Sequence, residues 1–215
     1  MNLKPQSARR LPAAFVLVSM VVMGAAAAAQ AQAPAGRGRA ATPPPPAAGR
    51  GAAPAPARSP GAGPIIVFET VKGTFEMETY PNEAPKSVEH ILALVKRNFY
   101  NGLRVHRVVP GFVVQFGDPL TRDMTKRDRW GTGDSGRAIG VAEISAKRPH
   151  KLGAVALAHG GDPREADSQM YIAINGPARY SEIEGDFTVF GQVISGMDVV
   201  QKLQMTDIIR RATVR

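Results

Sequence analysis

An all-β domain of eight short strands with two helices is what the sequence predicts for residues 65–215. Three observations carry this. Apolar and polar residues alternate in short runs, as in Phe75-Glu76-Met77-Glu78-Thr79-Tyr80, which is the period of a strand with one buried face. Glycine and proline separate these runs at close intervals. Only two segments repeat their apolar residues at helical spacing. Many short strands of this kind build a sandwich or a barrel, and eight strands can close with side chains filling the interior. Periodicity does not choose between them.

Taken in order, Ile65–Thr70 and Phe75–Tyr80 form a first hairpin about a turn at Val71-Lys72-Gly73-Thr74. Pro85 opens a helix, where its missing N–H costs nothing. Val88, Ile91, Leu92, Val95 and Phe99 mark its buried face up to a stop near Asn101-Gly102. His90 on this helix lacks a partner at metal-ligand spacing, so it packs or faces solvent. A second hairpin joins Val105–Val109 to Phe112–Phe116 through Pro110-Gly111, proline presetting the first central turn residue and glycine supplying the positive φ of the second. Strict alternation about a two-residue turn would put Arg107, Phe112 and Val114 on one face and Gln115 on the other. A charged, glycine-rich loop, Pro119–Gly140, follows and contains the single tryptophan, Trp130. Strands Gly153–Ala158, Gln169–Ile174, Phe187–Val193 and Ile208–Val214, with a short helix at Met197–Leu203, complete the domain.

The preceding residues are different in kind. Of the net charge of +9, Lys4, Arg9, Arg10, Arg37, Arg39, Arg50 and Arg58 contribute +7 before residue 65, where no acid occurs, so the domain itself carries +2. The basic balance therefore belongs to the tail and does not describe a nucleic-acid-binding face. Lys4, Arg9 and Arg10 precede an apolar run from Leu11 to Ala29 and small residues that fit cleavage after Ala31 or Ala33. Residues 1–31 read as a secretory signal peptide, with an uncleaved membrane anchor as the alternative. Residues 32–64, with nine prolines, six glycines and scattered arginine, read as a disordered spacer. At about 3.1 Å per residue it would reach roughly 100 Å. A chain beginning near Gly63 is then expected to fold. With no cysteine, disulfides, thiol nucleophiles and zinc-thiolate sites are excluded.

No G-x-S-x-G elbow, Walker A loop, H-E-x-x-H helix or EF-hand loop occurs. Ser168 with His159 and Asp162 or Asp167 makes a poor catalytic triad, since nothing supplies an oxyanion hole. The remaining singular stretch is Val105-His106-Arg107-Val108-Val109-Pro110-Gly111-Phe112-Val113-Val114-Gln115-Phe116-Gly117-Asp118, an apolar hairpin with an arginine in it. It resembles the signature hairpin of the cyclophilins, the barrel-type peptidyl-prolyl cis/trans isomerases. The resemblance continues at Ser168-Gln169-Met170-Tyr171-Ile172 and Phe187-Thr188-Val189-Phe190-Gly191, and so covers about residues 65–215.

This resemblance implies a closed eight-stranded antiparallel β-barrel capped by two α-helices, and rotation about X-Pro bonds as the activity. It makes Arg107 the catalytic residue. Phe112, Val113, Tyr171, Ile183 and Phe187 match the apolar wall for the proline ring, Gln115 and Gln169 the glutamines that bind substrate backbone, and Ala158 and His159 a strand end that binds it through main-chain groups. Gln115 must then lie beside Arg107, which demands a bulge or a wider turn than strict alternation allows. His106 is expected as a buried, hydrogen-bonded strand histidine. Val113, Tyr171, His159 and Phe187 depart from the best-known eukaryotic pattern of methionine, phenylalanine, asparagine and histidine. Glu182 stands where that pattern has a tryptophan resembling a cyclosporin contact. The implied partners are proline-containing polypeptides, unfolded or exported, met by a monomer with no metal or other cofactor and no nucleic acid, exported to the periplasm or secreted. Membrane contact would come only through an uncleaved N-terminal segment. A catalytically incidental proline-peptide binding module or envelope chaperone, or a tethered interaction protein, is the alternative. Arg107 speaks against both, because binding alone needs no donor at the prolyl nitrogen.

Overall fold

In a computed structural model of the chain, residues 58–215 are described. The expected signal segment, and the expected spacer up to residue 57, lie outside the described residues. Eight strands form one sheet: β1 Ile65–Thr70, β2 Gly73–Thr79, β3 Arg107–Val109, β4 Val113–Phe116, β5 Ala154–Leu157, β6 Met170–Ala173, β7 Val189–Ser195 and β8 Ile209–Val214. Their order is β3-β4-β6-β5-β7-β2-β1-β8, with every pairing antiparallel. Helix α1 spans Pro85–Lys96 and α2 Met197–Val200.

The expected closed barrel is a half-barrel. Edge strands β3 and β8 share no ladder. Between them stand one bridge, Arg104 to Ile208, and main-chain bonds from Gly102, Val105, Thr206 and Ile209. The physical reason is length. β3 has three residues, and the chain meets β8 before β3 begins.

Alternation sends Phe68, Phe75, Val114 and Phe116 to the inner face, where Phe68 stacks on Phe75 at 5.0 Å and meets Phe116 edge-on at 5.4 Å. Val88, Ile91, Leu94 and Val95 of α1 share this core, each buried side chain contributing about 1.5–3 kcal/mol before entropy is counted. Strands β5 and β6 are buried at every position, which is why Ala-Val-Ala-Leu and Met-Tyr-Ile-Ala read as continuous apolar runs. Their outer faces, with Val113, Val189, Tyr80 and Tyr180, make a second apolar cluster.

Helix α1 stops at Lys96, short of the expected Asn101-Gly102. Asn98 adopts φ 59°, its N–H bonds the Val95 carbonyl and the Phe99 N–H bonds that of Leu94. This is a Schellman ending with asparagine in the left-handed position glycine usually takes. No local side chain caps the other end; the Glu143 carboxylate accepts from the N–H groups of Lys86 and Ser87 instead. Helix α2 is likewise shorter than expected, four residues long. The loop after β4 holds two 3-10 turns, Pro119–Arg122 and Met124–Arg129, started by the Asp118 and Asp123 side chains accepting from Leu120 and Thr125.

The spacer joins the folded unit before Ile65. Ser59 N–H donates to both carboxylate oxygens of Glu78 at 3.1 and 3.0 Å, the Gly63 N–H bonds the Thr79 carbonyl, and Arg148 donates to the Pro60 carbonyl at 2.6 Å.

Candidate active site

The β3–β4 hairpin decides the site. The Phe112 N–H bonds the Val109 carbonyl across Pro110 and Gly111, whose φ of 66° is open to glycine at no steric cost. The ladder, however, pairs Val109 with Val113 and Arg107 with Gln115. Phe112 is therefore an extra, bulged residue, and the bulge shifts alternation by one. The wider turn that the site required is present, and Gln115 shares a face with Arg107. The row continues across the sheet through Tyr171 and Ala156.

Above this row lies a cavity of about 250 Å³ lined by Arg107, Phe112, Val113, Gln115, Ala158, His159, Tyr171, Ile183 and Phe187. Nine of the ten residues singled out in the sequence meet there; Gln169 lies behind the wall. Its Nε2 donates to the Gly131 and Gly133 carbonyls at 2.9 and 2.8 Å, and its Oε1 accepts from Gln115 Nε2 at 3.0 Å. Gln115 Oε1 accepts from Arg107 Nη1 at 3.2 Å. The directions are forced. Carbonyls only accept, so each glutamine must turn its amide nitrogen toward the loop and its oxygen toward the arginine. A relay thus runs from a fixed loop to an exposed guanidinium. The loop is held by the buried Asp118 carboxylate, which accepts from Leu120 and Gly131 N–H groups.

Gly117 lets this loop and β6 approach. At φ 112°, a Cβ there would lie 2.3 Å from the Ser168 carbonyl oxygen. Trp130 anchors the same loop within itself, its indole N–H bonding the Asp123 carbonyl at 3.2 Å.

On the opposite wall the His159 ring tilts over Phe187 at 4.5 Å and bonds the Asp186 carbonyl through Nε2. Ser168 Oγ donates to the Gly117 carbonyl, so no Ser-His-Asp triad assembles. His106 is buried as expected but not hydrogen-bonded; neither ring nitrogen finds a partner, and burial lowers its pKa. His90 bonds Asp167 at 2.8 Å, a structural contact. Among the described residues no group of three or more His, Cys, Asp or Glu side chains could hold a metal. Two residues escaped sequence reasoning: His150, fully buried behind Tyr171, and Tyr180, stacked on Phe112 at 5.2 Å. Neither sits in a motif, and both lie in segments that read as plain loop.

Residues 65–214 match the family profile described as cyclophilin type peptidyl-prolyl cis-trans isomerase/CLD. The chain belongs to the cyclophilin family. A Brucella abortus relative, named a probable peptidyl-prolyl cis-trans isomerase, is 38% identical over 143 residues, spanning 65% of this chain and 70% of the relative. A Helicobacter pylori peptidyl-prolyl cis-trans isomerase is 34% identical over 143 residues, covering 66% and 80%. The crystal structure of a Cryptosporidium parvum cyclophilin superposes with a TM-score of 0.60 at 22% identity, covering 71% of this chain and 97% of that one. A Hirschia baltica cyclophilin superposes at 0.57 with 20% identity, covering 69% of this chain and 73% of that one. These structural likenesses concern the fold.

In this cyclophilin the Phe112 ring lines the cavity and is backed by Tyr180. Phe112→Ala should lower kcat/KM by roughly 10–100-fold and weaken peptide affinity as well as rate, the result expected of a wall residue that meets substrate in ground and transition states alike. Peptide titration beside steady-state kinetics checks this; unchanged affinity would remove Phe112 from the wall.

Proposed function

We propose that the domain accelerates cis/trans rotation about X-Pro bonds of polypeptides, with Arg107 as the catalytic residue. The observation that carries this is the guanidinium standing on the face of an apolar cavity of about 250 Å³, held by an amide relay and, among the described residues, by no carboxylate. In the planar ground state the prolyl nitrogen is conjugated. As the bond twists its lone pair localises, so a donor aimed at it binds the transition state more strongly than the substrate. Guanidinium stays protonated and presents planar donors in a fixed fork. Phe112, Val113, Tyr171, Ile183 and Phe187 seat the pyrrolidine ring and exclude water, which strengthens that bond. Gln115 steers Arg107, and Gln169 steers Gln115. The Cryptosporidium parvum cyclophilin has been crystallised in the presence of the dipeptide Ala-Pro, a ligand of the class this cavity fits. A protease-coupled isomerisation assay on a short X-Pro peptide tests the reading, and its absence of rate enhancement would refute it.

The clients we propose are exported proteins, reached by a monomer working in the periplasm or outside the cell. The support is the basic, apolar and small-residue order of the first 33 residues. Protein recovered from the cell envelope should begin at Gln32 or Pro34, as read by N-terminal sequencing; an intact Met1 would favour the anchored form. Glu182 is exposed on the loop beside Ile183. A carboxylate there disfavours an apolar macrocycle, so cyclosporin should inhibit weakly. Titration against a cyclophilin bearing tryptophan at the matching position measures the difference, and equal affinity would refute the expectation.

A further inference from the structure

Behind the cavity, His150 is fully buried and touches three separate parts of the wall without lining it. The Glu184 carboxylate accepts from the His150 main-chain N–H at 2.9 Å and stands 3.1 Å from Nδ1. With Nδ1–H donating to that carboxylate, Nε2 is left as an acceptor, and it lies 2.7 Å from the Tyr171 hydroxyl. Burial and the nearby Glu184 carboxylate push the Tyr171 phenol above its ordinary value, so it keeps its proton and donates. The imidazole is nearly coplanar with the Tyr171 ring, their centroids 5.9 Å apart across this bond, and stacks on Tyr180 at 5.6 Å. Tyr180 in turn stacks on Phe112 and donates its hydroxyl proton to the Phe112 carbonyl at 2.6 Å.

We propose that His150 is a positioning residue for the isomerase site, locking the Tyr171 floor, the Phe112 wall and, through Glu184, the loop that carries Ile183 and Phe187. This role rests on the isomerase activity proposed above. Three wall pieces come from β6, from the bulged turn before β4 and from an irregular loop, and no strand ladder fixes the last against the first two. Tyr180 ties the loop to Phe112, and the imidazole ties the loop to β6 with two polar bonds and one stacked ring face. The Tyr171 hydroxyl is committed to this bond with the buried His150, so its oxygen serves the scaffold. Glu184, its side chain 40% exposed, holds His150 while Ile183 and Phe187 of the same loop line the cavity, and anchoring the carboxylate therefore sets the spacing across the proline ring. A loosened wall weakens binding in ground and transition states alike and appears mainly in KM. Arg107, fixed by its own glutamine relay, keeps kcat.

The test is saturation kinetics on an X-Pro peptide with the full domain. His150→Phe keeps a ring in the stack and removes both polar bonds; KM should rise about tenfold while kcat stays within about threefold. Tyr171→Phe breaks the same bond from the other side, so its loss and that of His150→Phe should not add in the double variant. Glu184→Ala should raise KM, and Glu184→Gln, whose amide oxygen can accept the same two donors, should raise it less. A folded His150→Phe with unchanged KM overturns the role while Arg107 sensitivity leaves the isomerase reading standing. Should His150→Phe fail to fold, Glu184→Ala on its partly exposed loop decides: an unchanged KM overturns the proposal and a raised one supports it. A parent protein inactive on the peptide overturns both readings.

Discussion

Arg107→Ala should lower turnover on an X-Pro peptide by about 10²–10³-fold while changing peptide affinity by less than about threefold. Uncatalysed rotation crosses a barrier of about 18–20 kcal/mol, and a rate gain on the order of 10⁵ requires about 7 kcal/mol of preferential transition-state stabilisation. In the proposed mechanism one charged donor, desolvated when the peptide covers it, supplies about 3–4 kcal/mol of this. The apolar walls, through orientation, supply the remainder. Because the prolyl nitrogen becomes an acceptor only when twisted, the loss falls on kcat. Arg107→Lys should not restore it, since an ammonium lacks the planar fork that donates to Gln115 Oε1 and, in the proposed mechanism, to the substrate nitrogen. Stopped protease-coupled kinetics beside calorimetric titration separates the two effects. Near-normal turnover in a folded Arg107→Ala protein would sink the mechanism and favour a proline-peptide binding module.

The bond network makes a milder version of the same expectation for the relay. Gln169 contributes through direction, since its amide nitrogen is spent on the Gly131 and Gly133 carbonyls. Its removal frees Gln115 to rotate, and Arg107 then loses the acceptor that aims it.

Strands β1 and β2 were legible from local alternation alone, and β5 and β6 from short continuous apolar runs between glycine, proline and polar residues. Phe112 shows where alternation fails. A single extra residue at the turn reverses the facing of everything after it, and only the demand that Gln115 reach Arg107 exposed the need for one. The end of α1 was misplaced because Asn98 can take a left-handed conformation that the stronger Asn-Gly pair beyond it appeared to claim from sequence. Barrel closure depends on how far β3 extends toward β8, a property of two segments about a hundred residues apart, and no local pattern encodes it. His150 stayed hidden for the same reason: a histidine between Pro149 and Lys151 reads as loop until Tyr171, Tyr180 and Glu184 are brought around it.

The boundary of the folded unit carries the other large effect. Glu78 on β2 is fully buried, and its carboxylate accepts from the Ser59 N–H, with the Arg58 Nε 4.0 Å away. Arg148 covers the same corner, its guanidinium 3.6 Å from the Tyr80 ring centroid and bonded to the Pro60 carbonyl and to Glu83. A chain beginning at Gly63 removes the Ser59 donor, the Arg58 charge and the Pro60 acceptor together, leaving a buried carboxylate short of partners. Such a loss costs roughly 3 kcal/mol, so the melting temperature should fall by about 6–12 °C relative to a chain beginning at Ala55. Activity of the folded fraction should persist, since this corner contributes no residue to the cavity. Glu78→Gln should recover part of the deficit in the short chain, where an amide is cheaper to leave unpaired, and should destabilise the longer one, where it gives up the Arg58 charge. Equal melting temperatures for the two chains would show that residues 58–62 lie on the domain without supporting it.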